Sequence, residues 1–353
     1  MRIAFRVDAS VEIGTGHIMR CLTLAEQFRT LGDEVCFICR EANGSLEEEI
    51  MKSGFPLFKL PRVSSELKLW MERNWEIDAN ETKAIINNKV IDLLIVDHYS
   101  LDFKWEKCIK KVIPKILVID DGGKFKKHDC TYFLNPTYNA QLDLALYQKQ
   151  CDESTVFLLG TEYMILRDEF NSFKVHDFQK EKYTIHVFFG GMDFNNYTLK
   201  YCRLILENFK NVNLLVVVGG KYEYINELES LKIFYRDKIE IYQNIKNMSE
   251  ILNKCDIAIG APGTTTWERA ALGIPSAYIT IAPNQKPIIE KLDMKNICLF
   301  IGEANRLGNN RFIIKFREFI TEPDLLELYS INSRKIVNTH GKENITNIIK
   351  AGE

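Results

Sequence analysis

Two stretches of this chain place glycine next to side chains that can move a proton or hold an anion. The first is Ile13-Gly14-Thr15-Gly16-His17. It follows the apolar run Ile3-Ala4-Phe5-Arg6-Val7, which reads as a buried strand, and precedes a run with helical spacing: Ile18, Cys21, Leu22, Leu24, Ala25 and Phe28, stopped at Gly32. Gly14 and Gly16 therefore fall in a tight strand-to-helix turn, with His17 at the helix entrance. Glycine lets the backbone approach a ligand closely, and a helix N-terminus suits a phosphate. The imidazole adds a proton acceptor. The alternative is an ordinary turn with His17 as a cap, since the third glycine of the dinucleotide fingerprint is missing.

The second stretch is Ala261-Pro262-Gly263-Thr264-Thr265-Thr266-Trp267-Glu268. A glycine turn followed by hydroxyls at a helix start can hold a diphosphate through Gly263, Thr264 and Thr265. Glu268 can accept from both hydroxyls of a ribose. Plain threonine capping, with Glu268 favouring the helix dipole, is the competing account. Upstream, the turn around Ile245 has backbone groups able to read a flat base edge. Gly190-Gly191-Met192-Asp193 ends another strand, which makes Asp193 a further candidate for binding a ligand beyond the strand end.

These turns need strands and helices to position them. The first half alternates the two: strands at Glu34–Arg40, Val90–Val96 and Lys115–Ile119, and helices at Ser45–Ser53, Ser64–Asn88 and Lys104–Val112. The second half repeats the alternation from Tyr183. Such a pattern predicts an α/β protein with parallel sheets, whose ligands bind beyond the strands' carboxyl ends. Asp97-His98-Tyr99 and Asp120–Gly123 lie at two more such ends. We expect a domain over 1–170, a charged linker over 171–182, and a domain over 183–353 that includes the last helices. Two such domains would leave a cleft between them.

Composition narrows the function. The chain has 353 residues, 46% hydrophobic and 27% charged. A net charge of −2 gives no reason to expect nucleic acid or anionic membrane as a partner. No apolar run approaches the roughly 20 residues of a spanning helix. The N-terminus enters a strand without a signal-peptide segment, which predicts the cytoplasm. Nine scattered cysteines suit reduced, buried thiols; Cys36 and Cys39 sit in a core-like strand. Six histidines show no His-x-x-x-His pair, so no metal is expected.

The opening motif, Arg6-Val7-Asp8-Ala9-Ser10 through Ile13–His17 to Arg20-Cys21-Leu22, resembles that of the pseudaminic acid pathway hydrolases. These act on UDP-2,4-diacetamido-2,4,6-trideoxy-β-L-altropyranose. Asp97–Tyr99, Asp120–Gly122, Asn135-Pro136, Leu166–Phe170, Phe189–Asp193 and the Gly260–Glu268 segment through Pro283-Asn284-Gln285 follow in the family's order. The family is similar to the GT-B glycosyltransferases, including the one that builds lipid II. The resemblance implies two Rossmann-like domains facing across a cleft, and release of UDP by water attack on the anomeric carbon without metal or cofactor. It implies a cytoplasmic place in pseudaminic acid biosynthesis, which feeds flagellin glycosylation. His17 matches the family's general base, and Tyr99 and Asn284 its sugar-side and leaving-group helpers. Asp8 and Arg20 are further candidates: Asp8 to orient His17 or a sugar hydroxyl, Arg20 to share a helix face with His17. Two other readings stay open: a glycosyltransferase with the same domains, and a nucleotide-sugar binding protein without catalysis.

Overall fold

The computed structural model describes residues 1–8, 16–41, 47–63, 67–87, 89–122, 125–172, 175–245 and 247–352. Gly14 and Gly123 lie outside the described residues. The chain divides into two compact units, Met1–Leu166 with Asn338–Glu353, and Arg167–Val337.

The first unit is built on seven strands: β1 (Arg2–Val7), β2 (Glu34–Arg40), β3 (Leu57–Leu60), β4 (Leu93–Asp97), β5 (Ile116–Ile119), β6 (Tyr132–Asn135) and β7 (Val156–Leu159). They form one sheet in the order β3-β2-β1-β4-β5-β6-β7, every pair parallel. Parallel strands covered on both faces read as continuous apolar runs. β1 and β4 obey this, with Ile3, Ala4, Phe5, Val7 and Leu93 to Val96 at 1% exposure or less. The helix Gly16–Thr30 follows β1 and buries the expected stripe: Ile18, Cys21, Leu22, Leu24, Ala25 and Phe28. Strand order reverses between β1 and β4, whose ends are level because Val7 pairs with Asp97. A ligand of a doubly wound sheet binds at such a reversal.

The second unit repeats the scheme. Its strands are β8 (Tyr183–Phe188), β9 (Val212–Val218), β10 (Ile239–Gln243), β11 (Ile257–Gly260), β12 (Ser276–Thr280) and β13 (Leu299–Glu303). The order is β10-β9-β8-β11-β12-β13, again all parallel, with the reversal between β8 and β11. Gly260 sits at that reversal with φ 159°. A Cβ there would stand 1.8 Å from the Phe188 carbonyl oxygen, so only glycine lets the two strands close. Three residues separate the end of β11 from the start of the helix Thr264–Ala271.

Some expectations are corrected. Within the stretch 64–88 the described residues form two helices, Leu67–Arg73 and Trp75–Ile86, with Asn74 between them. β13 and the helix Leu144–Gln148 were not anticipated. The last helix, Gly341–Ala351, returns to the first unit instead of joining the second. Its apolar pair Ile345 and Ile349 is completely buried in the first core, and Lys350 Nζ meets Asp33 Oδ1 at 2.9 Å. A long-range return of this kind leaves no local signal. Among the described residues, no helix is long and apolar enough to cross a membrane.

Gly341 makes the return possible: a Cβ there would stand 2.2 Å from Met164 O and 2.4 Å from Met164 N. Gly341→Ala is therefore expected to cost about 1–3 kcal/mol, read as a lower urea midpoint of the first unit. An unchanged midpoint would show that the helix end can slide away.

Candidate active site

The ends of β4 and β5 and the start of the first unit's first helix bring charged side chains together. His17 lies in the first turn of the helix Gly16–Thr30 and Arg20 one turn on. His17 Nδ1 is 2.5 Å from Asp97 Oδ1 at the end of β4. A carboxylate only accepts, so in the neutral ring the proton sits on Nδ1 and Nε2 keeps its lone pair. Arg20 Nε donates to Asp97 Oδ2 at 2.6 Å and Nη2 to Oδ1 at 2.6 Å. Burial alone would raise the Asp97 carboxyl. The Arg20 charge, then His17, outweighs burial and holds it well below the usual carboxylate range.

Arg20 also reaches Asp121 beyond β5, Nη1 to Oδ2 at 2.6 Å. Asp121 Oδ1 in turn accepts from the Tyr99 hydroxyl at 2.6 Å. Tyr99 is 40% exposed, and its ring meets that of His17 edge-on at 4.6 Å. Burial, then the Asp121 charge, pushes the phenol well above its ordinary value. His17, Arg20 and Tyr99 thus form one site, joined by Asp97 and Asp121.

Asp8 goes elsewhere. It is completely buried and takes both forks of Arg6, at 2.5 and 2.9 Å, and the Arg40 backbone N–H at 2.7 Å. Arg6 and Arg40 share Asp78, which also accepts from Trp105 Nε1 at 2.9 Å. His98 faces the same network. Its Nδ1 accepts from the Ser100 N–H, so Nε2 carries the proton and points at Asp8 Oδ2, 3.2 Å away but off hydrogen-bond alignment. Asp8 therefore anchors the end of β1, with no surface left for a sugar hydroxyl. Asp120 is likewise occupied, capping the Gly122 N–H at 2.9 Å and meeting His128 Nε2 at 3.3 Å.

In the second unit, Gly263 and Thr264 are exposed, while Thr265 and Glu268 are buried. The Gly263 N–H donates to Thr266 Oγ1 at 3.1 Å, closing the turn. Glu268 Oε1 accepts from Arg167 Nη2 at 3.2 Å, and Arg167 also meets Glu169 at 3.0 Å. Burial raises the Glu268 carboxyl, against the pull of Arg167. Gln285 Nε2 donates to Pro262 O at 2.8 Å, so the turn Pro283–Gln285, with Asn284 exposed on it, sits beside the Gly263 turn. Asp193 has a different job: its two oxygens accept from Tyr197 N and Thr198 N, at 2.9 and 2.6 Å, starting the helix Tyr197–Asn208. Ile245 packs against a small cluster of Leu215, Val217, Ile251 and Cys255. Gly16 begins its helix, half-buried.

The sequence put Asp97 and the Asp120–Gly123 cluster at strand ends. It did not single out Asp121 as the partner of Arg20 and Tyr99, because that pairing spans 101 residues. In the sequence Arg167 stands out only as part of the Leu166–Phe170 run. Among the described residues, no group of three or more His, Cys, Asp or Glu side chains could hold a metal ion.

No family model matches the chain. It is 30% identical over 281 residues to an uncharacterised protein of Methanocaldococcus jannaschii, covering 78% of this chain; the chain spans about half (54%) of that protein's length. It is 27% identical over 287 residues to the UDP-2,4-diacetamido-2,4,6-trideoxy-beta-L-altropyranose hydrolase of Campylobacter jejuni, covering 81% of this chain and 94% of that protein. The chain is thus a homologue of a named UDP-sugar hydrolase. Among solved structures it resembles the spinosyn rhamnosyltransferase complexed with thymidine diphosphate, with TM-score 0.65 and 11% identity over 99% of this chain and all of the other. That likeness shows the fold, an α/β GT-B fold.

One member of the surroundings titrates in an accessible range. His128, 3% exposed, lies between Glu106 (2.7 Å) and Asp120 (3.3 Å). Burial would lower its pKa, but the hydrogen bonds to the two carboxylates outweigh that and raise it to about 10 from 6.5. A pKa raised on folding stabilises the native state fully below 6.5 and loses that contribution as pH climbs toward 10. Stability is expected to fall over that window by on the order of a few kcal/mol. His128→Gln should be less stable at pH 6 and nearly flat across the window, as followed by urea midpoints.

Proposed function

We propose that the protein releases UDP from UDP-2,4-diacetamido-2,4,6-trideoxy-β-L-altropyranose by water attack at the anomeric carbon, giving the free sugar for pseudaminic acid biosynthesis. The observation that carries the reading is the 2.5 Å contact from His17 Nδ1 to Asp97, which leaves Nε2 as a proton acceptor. In this reading Nε2 takes a proton from water as its oxygen bonds to the anomeric carbon. The bond from that carbon to the UDP oxygen breaks, and UDP leaves as an anion. Asp97, kept ionised by Arg20, stabilises the imidazolium that forms. Tyr99, oriented by Asp121, supplies a polar edge for the sugar.

The second unit serves the nucleotide. First-turn N–H groups of a helix lack intrahelical partners, and with the Gly263 N–H taken by Thr266 Oγ1 it is the exposed start at Thr264 that offers them, together with a hydroxyl. That electropositive end stabilises charge developing on the diphosphate, with Asn284 beside the leaving oxygen. Thr265 remains a candidate for the diphosphate, Glu268 for the ribose, exchanging Arg167 for ribose hydroxyls, and Ile245 for the base. The named relative and the GT-B fold both support a nucleotide-sugar enzyme. Water and the nucleotide sugar are its proposed partners, in the cytoplasm.

Purified protein incubated with the UDP-sugar and no acceptor is expected to release UDP, seen by chromatography. His17→Ala should lower turnover by about 10²–10⁴-fold with little change in UDP affinity. Asp97→Asn should cost a comparable factor, about 10²–10⁴-fold, because the amide no longer selects the Nδ1–H tautomer. Turnover of His17→Ala close to wild type would sink the reading. UDP appearing only after an alcohol acceptor is added would favour a transferase; binding without release would favour a non-catalytic protein.

A further inference from the structure

Arg269 lies in the second turn of the helix Thr264–Ala271, on the face that carries Thr265. Its side chain is completely buried. Nη2 donates to Ile259 O at 3.3 Å and to His186 Nδ1 at 3.0 Å, and Nε reaches the same ring nitrogen at 3.3 Å. Nη1 has no hydrogen-bond partner, and neither has His186 Nε2. The Tyr278 ring lies 5.7 Å from the guanidinium. Among the described residues, no carboxylate makes an ion pair with Arg269. Burial, then the Arg269 charge, holds His186 well below its ordinary value, so it brings no second charge.

A guanidinium is costly to bury without a counter-ion, and burial lowers the Arg269 pKa, a pull that Tyr278 and then the neighbouring acids offset only in part. The contrast with the first unit is sharp: Arg6 and Arg40, equally buried, are balanced by Asp8 and Asp78. Arg269 also lies under the end of β11, since a Cβ on Gly260 would stand 3.2 Å from Nη2. The chain then runs directly to the exposed Gly263–Thr264 helix start. We propose that Arg269 is a built-in counter-charge for an anion held at the Gly263–Thr265 turn, the diphosphate of a nucleotide. The helix end supplies the hydrogen bonds, and the buried cation supplies a field that binding compensates. This rests on the nucleotide reading above. It adds that the site discriminates by the charge of the phosphate end, through a residue that need not touch the ligand. Arg269 is therefore a positioning residue of the electrostatic kind.

The test titrates the whole chain with UDP and with uridine by calorimetry. Wild type is expected to bind UDP more tightly than uridine. His186→Glu places a carboxylate against Arg269, satisfying it from within without removing it. It should weaken UDP by about tenfold and leave uridine unchanged. Arg269→Met should act in the same direction, and Arg269→Lys should keep most of the UDP affinity. Should Arg269→Met fail to fold, His186→Glu still decides. Unchanged UDP affinity in His186→Glu overturns the proposal, as does an equal loss of UDP and uridine, which would report a distorted turn. Wild type that binds neither ligand overturns the nucleotide reading itself, and this proposal with it.

Discussion

The charged cluster of the first unit depends on a single ionised carboxylate. Asp97 receives His17 on one oxygen and Arg20 on both, while fully buried. A buried carboxylate left alone would take up a proton, and a protonated Asp97 could not direct the His17 ring. Arg20 prevents this, and Asp121 in turn holds Arg20 and Tyr99. The site is a chain of obligations in which each charge is buried only because the next one is present. Such fully paired networks are rigid and hold each side chain in one orientation.

The two units use the same topology for different electrostatic ends. In both, the strand order reverses beside the first strand, and a helix starts just beyond the reversal. In the first unit the residues there are ionised and mutually paired. Beneath them the Arg6–Asp8–Asp78–Arg40 cluster closes on itself, fastening β1, β2 and the helix Trp75–Ile86. In the second unit the helix start is uncharged and exposed, and behind it lies a buried guanidinium with one nitrogen unpartnered. A paired network orients a side chain; an unpaired charge projects a field. The first suits general base work and the second suits anion binding.

Much of this was legible along the chain, because strand and helix periodicities are local. The buried stripe of the helix Gly16–Thr30 follows from spacing alone, as does the clustering of polar residues at strand ends. Parallel pairing follows from the alternation of strand and helix. Partners were not legible. Asp8 and Asp97 are both acids at the ends of neighbouring strands, and nothing within several residues tells which will meet His17. Side-chain direction decides: Asp8 turns to Arg6, two residues back on β1, and Asp97 turns to the helix. Asp193 likewise reads as a ligand-facing acid until its oxygens are seen on the N–H groups of Tyr197 and Thr198.

The sequence by itself determined the fold class, the two parallel sheets and the glycine turn at Gly263, since these rest on patterns only a few residues long. Tertiary structure alone decided the return of Gly341–Ala351 to the first unit, the pairing of Arg20 with Asp121, and the isolation of Arg269. Each depends on groups brought together from distant parts of the chain, where burial removes water and makes the identity of the neighbour count.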